Sequence, residues 1–187
     1  MVSAPREGRP SVTLEDAKKR AHSLDMEIHA RIGGFSLESP HKVVSAVRAY
    51  LIRRAGEISV ENNPWKFLKF SGSSEGAWLI TMGPTIDRGD TEEHFHFDTG
   101  ARLSFGLTLQ EEGSKSRLLS FRYQYNLPDG KSPRFLRFDL NRSAHADPLQ
   151  EPLCHLHPGL EEARLPFFIH SPLEILDRIF FVIDKNL

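Results

Sequence analysis

The sequence predicts an α+β protein built on a curved antiparallel meander of about five or six strands, with two N-terminal helices and one C-terminal helix packed on the apolar face of the sheet. Three observations predict this class. Apolar residues recur at helical spacing near the two ends of the chain. Over residues 65–157 they alternate with a period of two. Short segments rich in glycine, serine and proline separate the alternating runs, as hairpin turns do.

The N-terminal part of the chain predicts a disordered start followed by two helices. Residues 1–11 are polar and contain two prolines, so we expect disorder there, and residues 12–187 are long enough for a single domain with a full core. Thr13 is a typical N-cap, and the helix that follows it ends at Gly33–Gly34. The second helix begins at Ser39–Pro40, with proline at the first helical position.

Two of the predicted helices have a clear apolar face. In the second helix this face consists of Val43, Val44, Val47, Tyr50 and Leu51. The C-terminal helix begins at Ser171–Pro172, and its inward-facing residues are Leu173, Leu176, Phe180 and Ile183. We expect both faces to pack on the sheet and to close its core.

Six alternating runs predict the strands of the sheet. In chain order they read WKFLKF, AWLITM, HFHFDTGARLSFGLTL, RLLSFRYQYNL, RFLRFDLN and LCHLH. The core-facing residues of the last four runs are Phe95, Phe97, Ala101, Leu103, Phe105, Leu107, Leu119, Phe121, Tyr123, Tyr125, Leu136, Phe138, Leu140, Cys154 and Leu156. Because successive side chains of a strand point to opposite faces, the polar residues between them must share the other face.

That other face collects a set of polar side chains that is typical of a functional site. They are His94, His96, Asp98, Arg102, Ser120, Arg122, Gln124, Asn126, Arg137, Asp139, Asn141, His155 and His157. We expect the face to be exposed to solvent. The alternation does not fix the order of the strands, so the two His-x-His pairs either meet or lie at opposite edges of the sheet.

Two kinds of chemistry suit these residues. A His-x-His pair on a strand holds two imidazoles about 7 Å apart, and with a carboxylate it can bind zinc or manganese, so His94 and His96 are candidate metal ligands. The same residue types can serve as acid and base in phosphodiester cleavage while arginines hold the phosphate. We predict catalytic roles for His96, His155, His157 and Asp139, and substrate-binding roles for Arg102, Arg122, Arg137 and His145. The alternative is that these residues only keep an exposed sheet face soluble.

The composition excludes several classes of protein. Basic residues number 24 and acidic residues 25, and the resulting net charge of -1 argues against binding long duplex nucleic acid by charge alone. The single cysteine, Cys154, excludes an intrachain disulfide and a cysteine-based zinc site, and favours a reducing, cytoplasmic compartment. The first residues lack the apolar core of a signal peptide, and no apolar run reaches the roughly 20 residues of a membrane span.

Residues 65–184 carry a succession of motifs that resembles the pattern of a known family. The segment FRYQYNLPDGKSPRFLRFDLNRSAHADPLQEPLCHLHPG contains a tyrosine-rich strand, an Arg-aromatic-Asp strand, a histidine-bearing loop and a second histidine cluster, and a helix with SPLEILDRIF follows. In this order the motifs resemble the TumE family of toxin–antitoxin proteins, and the matching residues are Arg122, Tyr123, Arg137, Asp139, His145, His155 and His157. The chain departs from the family in the longer connection LNRSAH and in its two N-terminal helices. The resemblance implies a small cytoplasmic toxin that acts on nucleic acid and pairs with an antitoxin protein.

Three functions remain open at this level. The first is a toxin-like nuclease or phosphodiesterase that acts on RNA or another phosphate-bearing substrate through the face rich in histidine and arginine. The second is a non-enzymatic sheet platform that binds a protein partner or a nucleotide. The third is a metal-dependent hydrolase unrelated to toxins, with zinc or manganese as its cofactor. The residue pattern alone does not choose between them.

Overall fold

The structure is a computed structural model, and it describes most of the central and C-terminal parts of the chain. The described residues are 36–55, 64–83, 94–140, 154–167 and 171–184, together with Lys19. The predicted disordered segment 1–11, the predicted first helix apart from Lys19, and the candidate residue His145 lie outside these ranges.

The described residues form nine strands and two helices. The strands are β1 (Ser36–Glu38), β2 (Lys69–Gly72), β3 (Ala77–Met82), β4 (Phe95–His96), β5 (Arg102–Glu112), β6 (Lys115–Asn126), β7 (Phe135–Leu140), β8 (Cys154–Pro158) and β9 (Leu165–Pro166). The helices are α1 (Pro40–Ala55) and α2 (Pro172–Asp177), and α2 continues as a π-helical segment, Arg178–Ile183. Neither described helix is long and apolar enough to cross a bilayer. The predicted α+β class is confirmed.

One antiparallel sheet contains all nine of these strands, in the order β2-β3-β5-β6-β7-β8-β9, with β1 beside β6 and β4 beside β5. From β5 to β9 each strand pairs with the next one along the chain, as a meander requires. The sheet has more strands than the five or six predicted. The three additional strands, β1, β4 and β9, are two or three residues long, which is too short to show alternation in the sequence.

The predicted long strand HFHFDTGARLSFGLTL is in fact a hairpin. Gly100 has a positive φ of 84°, which a turn favours, and the Phe97 N–H donates to the Ala101 carbonyl at 3.0 Å. The chain therefore reverses between β4 and β5. Phe95, Phe97 and Ala101 all stay in the core, which is why the alternation in the sequence looks unbroken. Asp98 lies exposed in the turn.

Two further predictions about the strands are wrong at their edges. The run WKFLKF begins as a 3-10 turn, Pro64–Phe67, in which proline takes the first helical position. In β6 the register with β5 shifts between Thr108 and Leu109. This bulge reverses the phase of the strand, so Leu118 is buried in place of the predicted Leu119.

The core lies between the apolar face of the sheet and the two helices. In α1 the predicted stripe is confirmed, since Val47, Tyr50 and Leu51 are buried. The C-terminal helical segment buries Ile175, Leu176, Ile179 and Phe180. Two of these residues, Ile175 and Ile179, fall outside the predicted stripe. Each lies next to a predicted position, Leu176 or Phe180, so the buried face is wider than predicted.

Two aspartates join the C-terminal helical segment to the rest of the fold by hydrogen bonds. Asp177 accepts a hydrogen bond from the Tyr50 hydroxyl at 2.6 Å. The buried Asp184 accepts hydrogen bonds at 2.8 Å from the hydroxyls of Thr99 and Tyr125. Burial and the bond to Asp184 raise the pKa of Tyr125 far above its usual range, so its hydroxyl stays protonated and remains a donor.

Candidate functional site

Strand register brings five of the predicted site residues together on one face of the sheet. Arg122, Asp139 and His155 are direct neighbours across β6, β7 and β8. Arg137 and His157 are neighbours in the adjacent row, because they lie two residues away from Asp139 and His155 on the same strands. We call these five residues the Arg–His cluster.

The Arg–His cluster is largely buried, so the prediction of a solvent-exposed face is wrong at β7 and β8. The exposed fractions are 6% for Arg137, 2% for Asp139, 1% for His155 and 1% for His157. Part of the cover is the chain that follows β8, because the Leu160 carbonyl and the Glu161 carboxylate both bond to the cluster. Arg122 remains the accessible member, with 33% of its side chain exposed.

Asp139 is the centre of the Arg–His cluster. Its Oδ1 accepts a hydrogen bond from Arg122 Nε at 2.9 Å, and its Oδ2 accepts one from Arg137 Nε at 2.8 Å. Both imidazoles approach the same Oδ2, with Nε2 of His157 at 3.4 Å and Nε2 of His155 at 3.8 Å. A carboxylate oxygen has two lone-pair positions, so Oδ2 can accept from Arg137 and still bind another group.

The formal charges of the site balance. Arg122 and Arg137 are positive, Asp139 and Glu161 are negative, and Arg137 Nη1 donates to Glu161 Oε1 at 2.6 Å. Burial acts against the charged form of Arg137, but the hydrogen bond with Glu161 and the charge of Asp139 outweigh it and raise the pKa of Arg137. The same hydrogen bond lowers the pKa of Glu161. Both side chains therefore carry their charges at neutral pH.

His157 presents an unprotonated nitrogen to the cluster. Its Nδ1 lies 3.3 Å from the Leu160 carbonyl and must donate to it, because a carbonyl only accepts, so Nε2 of the neutral ring carries the lone pair. Burial, and then the positive charge of Arg137, lower the pKa of His157, which favours this neutral form. His157 Nε2 is buried and has no hydrogen-bond partner among the described residues.

Three side chains of the cluster have the spacing of metal ligands. One ligand atom each from Asp139, His155 and His157 lies within 4.8 Å of the other two. The two imidazole rings are 4.8 Å apart between centroids, with an angle of 68° between their planes. Within the described ranges this is the one group of three histidine, cysteine or acidic side chains at such spacing, and it contains neither His94 nor His96.

The first His-x-His pair lies apart from the second. His96 is opposite Arg102 across β4 and β5, and its ring centroid is 6.3 Å from that of the buried His94. Three strands, β5, β6 and β7, separate β4 from β8, which corresponds to about 19 Å at the usual strand spacing. The two pairs therefore do not form one site. The roles predicted for His94, His96 and Arg102 stay predictions for a separate place on the sheet.

Glu161 is a member of the site that the sequence analysis missed. It lies in no alternating run, and its position depends on how the chain turns after β8. The available signal is the Pro-Gly pair at the end of that strand, which predicts a reversal of the chain. Gly159 has a positive φ of 81°, and this turn carries Leu160 and Glu161 back to the cluster.

Gly159→Ala should therefore destabilise the protein more than Gly130→Ala does. The two glycines have nearly equal φ values, 81° and 82°. A Cβ at position 159 would lie 2.6 Å from the Cβ of Pro133, whereas one at position 130 would meet nothing within 4 Å. We expect Gly130→Ala to lower the free energy of unfolding by about 1 kcal/mol and Gly159→Ala by roughly 2–3 kcal/mol. Urea denaturation measures both, and equal losses would show that the turn after β8 relaxes freely.

Comparison of this chain with protein-family models, curated proteins and solved structures finds no match to any of them. The resemblance to the TumE family is therefore neither supported nor opposed by these comparisons.

Proposed function

We propose that the protein is a toxin-like nuclease or phosphodiesterase that acts on RNA, or on another phosphate-bearing substrate, at the Arg–His cluster. The observation that carries the proposal is the strand register, which brings two arginines, two histidines and an aspartate into two adjacent rows. Cleavage of a phosphoester needs a cation to hold the phosphate and a group that handles protons at the reacting oxygen. The cluster supplies both types of group within one face of the sheet.

Arg122 is the best candidate for the first contact with substrate. One third of its side chain is exposed, and Asp139 holds its Nε at 2.9 Å. A guanidinium has five N–H donors, so the outer part of Arg122 retains donors for a phosphate while Asp139 fixes its orientation. A substrate phosphate would therefore approach the cluster from the side of Arg122.

The ion pair between Arg137 and Glu161 indicates a second position for an anion. Arg137 is buried, whereas 61% of the Glu161 side chain is exposed. An exposed carboxylate thus occupies donors of a buried guanidinium, as the phosphate of a bound substrate would. Displacement of Glu161 by the substrate would leave Arg137 paired with a phosphate and would open the cover over the histidines.

His157 provides the reactive lone pair. Its ring is held neutral, and its Nε2 faces the cluster without a hydrogen-bond partner among the described residues. Such a nitrogen can accept a proton from a hydroxyl or a water molecule, or can bind a metal ion that activates one. Either role puts His157 and the neighbouring His155 at the centre of the reaction.

The family resemblance supports the toxin class. Of the seven residues that carry it, five belong to the Arg–His cluster, namely Arg122, Arg137, Asp139, His155 and His157. Tyr123 is buried on the opposite, apolar face, and His145 lies outside the described residues. A toxin of this kind acts in the cytoplasm and is held inactive by a cognate antitoxin protein, so both belong to the proposal.

One observation favours a different function, a non-enzymatic platform that binds a protein or a nucleotide. Both imidazoles of the cluster are 1% exposed, which keeps them away from a large substrate in this conformation. In a platform the cluster would be structural, and only Arg122 and Glu161 at its surface would contact the partner. The two functions differ in whether the histidines are needed.

Induced expression of four proteins in a bacterial host tests the proposal. They are the wild type, the double variant His155→Ala/His157→Ala, Arg122→Lys, and the control Arg117→Ala, whose side chain lies on the same strand as Arg122 but pairs with the exposed Glu112. Growth and the integrity of cellular RNA are followed after induction, and each soluble protein is then purified and incubated with an RNA oligonucleotide. Circular dichroism identifies any variant that has lost its fold.

We expect the wild type and Arg117→Ala to arrest growth and to cleave RNA. The double histidine variant should do neither, and Arg122→Lys should be weakened because lysine cannot form the bidentate contact of a guanidinium. Arrest by the folded histidine variant that equals arrest by the wild type would exclude the cluster as the active site. Intact RNA and normal growth with the wild type would overturn the proposal and favour the platform.

A further inference from the structure

We propose that Asp139, His155 and His157 bind a divalent metal ion of the zinc type. Two imidazole nitrogens and one carboxylate oxygen, each able to bind the same ion, lie within 4.8 Å of one another. Three protein ligands leave a fourth position for water or substrate, which is the composition of catalytic zinc sites. As a cofactor of the reaction the ion rests on the proposed function, whereas its binding does not depend on the substrate.

Two of the distances between the ligand atoms lie near those of a tetrahedral zinc site. Two atoms that each bind one tetrahedral zinc lie about 3.3–3.4 Å apart, given bond lengths of about 2.0–2.1 Å. His157 Nε2 is 3.4 Å from Asp139 Oδ2, and His155 Nε2 is 3.8 Å from the same oxygen. Two histidines and one carboxylate are also the protein ligands of one class of catalytic zinc sites.

The buried Nε2 of His157 gives an independent reason for a cation. This nitrogen carries a lone pair, has no hydrogen-bond partner among the described residues, and lies 3.4 Å from a carboxylate oxygen. No hydrogen bond joins the two atoms, as is the case for two ligands that both point at a shared ion. A metal ion between them would satisfy both groups.

Hydrogen bonds from the surroundings hold the proposed ligands in place, as they commonly do for metal ligands. The other ring nitrogen of His157, Nδ1, donates a hydrogen bond to the Leu160 carbonyl. In this tautomer the lone pair is on Nε2, where it can bind a metal. Asp139 Oδ2 accepts from Arg137 Nε at 2.8 Å, which fixes the orientation of the carboxylate while leaving a lone pair on that oxygen. Histidines and carboxylates that bind metals are held by such outer contacts.

The charge of the site connects the metal to a phosphate substrate. Arg122 and Arg137 are balanced by Asp139 and Glu161, so the cluster is neutral before an ion binds. The arginines weaken the attraction for a cation, and the two carboxylates offset them. With a divalent ion bound, the site would have a charge of about +2, which suits an anionic substrate held between the ion and the exposed part of Arg122.

Metal content and metal titration of the full chain test this inference. Protein freed of any histidine tag is purified in the presence of zinc chloride, dialysed and examined by elemental analysis. Metal-free protein is then titrated with cobalt(II), whose visible absorption reports four-coordinate binding, and its thermal unfolding is measured with zinc and with EDTA. The variants are His157→Ala and His155→Ala, and the matched histidine control is His41→Ala. His96→Ala tests whether the first His-x-His pair binds the metal instead.

We expect about one zinc ion per chain in the wild type, a higher melting temperature with zinc, and a loss of affinity of about 100-fold or more in the two cluster variants. His41→Ala should bind as the wild type does. A wild type that binds neither zinc nor cobalt(II) stoichiometrically overturns the inference, even if a variant fails to fold. Binding that His96→Ala abolishes and His157→Ala leaves intact overturns it as well. None of these measurements uses RNA. The proposed metal site can therefore be overturned while RNA cleavage is observed, and the reverse.

Discussion

Replacement of Asp139 by asparagine is expected to lower the free energy of unfolding by about 3–5 kcal/mol, because it removes one charge of a buried ion-pair network. Arg137, with 7% of its side chain exposed, would remain charged with only Glu161 to balance it. Arg122 should contribute less to this decrease in the free energy of unfolding. A third of its side chain is exposed, so water can replace the carboxylate. Chemical denaturation in EDTA measures the ion pairs without a contribution from bound metal.

A surface ion pair of the same type gives the matched control. Glu112 accepts a hydrogen bond from Arg117 Nε at 2.8 Å, and about half of each side chain is exposed. Glu112→Gln should therefore cost less than about 1 kcal/mol. The double variant Arg137→Met/Asp139→Leu should lose less stability than Asp139→Asn, because it leaves no buried guanidinium short of a partner. Equal losses from Asp139→Asn and Glu112→Gln would contradict the buried network.

The sequence predicts which residues share the face of the site, and it does so from side-chain alternation alone. Arg122, Asp139 and His155 each lie between core residues of their own strand, so each must point away from the core. Alternation says nothing about which strands are neighbours or how they are aligned. The separation of His96 from His155 depends on both, since β4 pairs with β5 on the side away from β6.

Residue patterns do not predict that the site is buried, and the reason is physical. His157 and Arg137 look like exposed strand residues because polar side chains usually face water. Part of their cover comes from a turn that brings the Leu160 carbonyl and the Glu161 carboxylate onto them, and each contact satisfies a polar group that would otherwise lose its hydration. Such contacts arise between segments whose spacing in sequence carries no periodic signal. The same holds for the bulge that exchanges Leu118 for Leu119.

The opposite face of the sheet depends on packing, and its most sensitive position is in the C-terminal helical segment. Phe180 is completely buried, and its ring centroid lies 4.9 Å from that of Phe95, 5.1 Å from that of Phe97 and 6.0 Å from that of Tyr50. These three rings belong to the β4 hairpin and to α1. One side chain thus joins three elements that are distant in sequence.

Phe180→Ala should lower the free energy of unfolding by about 3–5 kcal/mol, because it removes a buried ring and leaves a cavity among aromatic neighbours that cannot all close on it. The control is Val182→Ala in the same π-helical segment, where 60% of the valine is exposed, and its expected effect is within about 0.5 kcal/mol. Urea denaturation gives both values.

If Phe180→Ala cost no more than Val182→Ala, the C-terminal segment would not be packed on the hairpin in solution. The bonds from Thr99 and Tyr125 to Asp184 would then be lost with it. If the loss is large, metal binding by the variant, measured below its unfolding transition, shows whether the two faces are coupled. We expect the affinity to be unchanged, because Phe180 packs on the apolar face of the sheet and the Arg–His cluster lies on the opposite face.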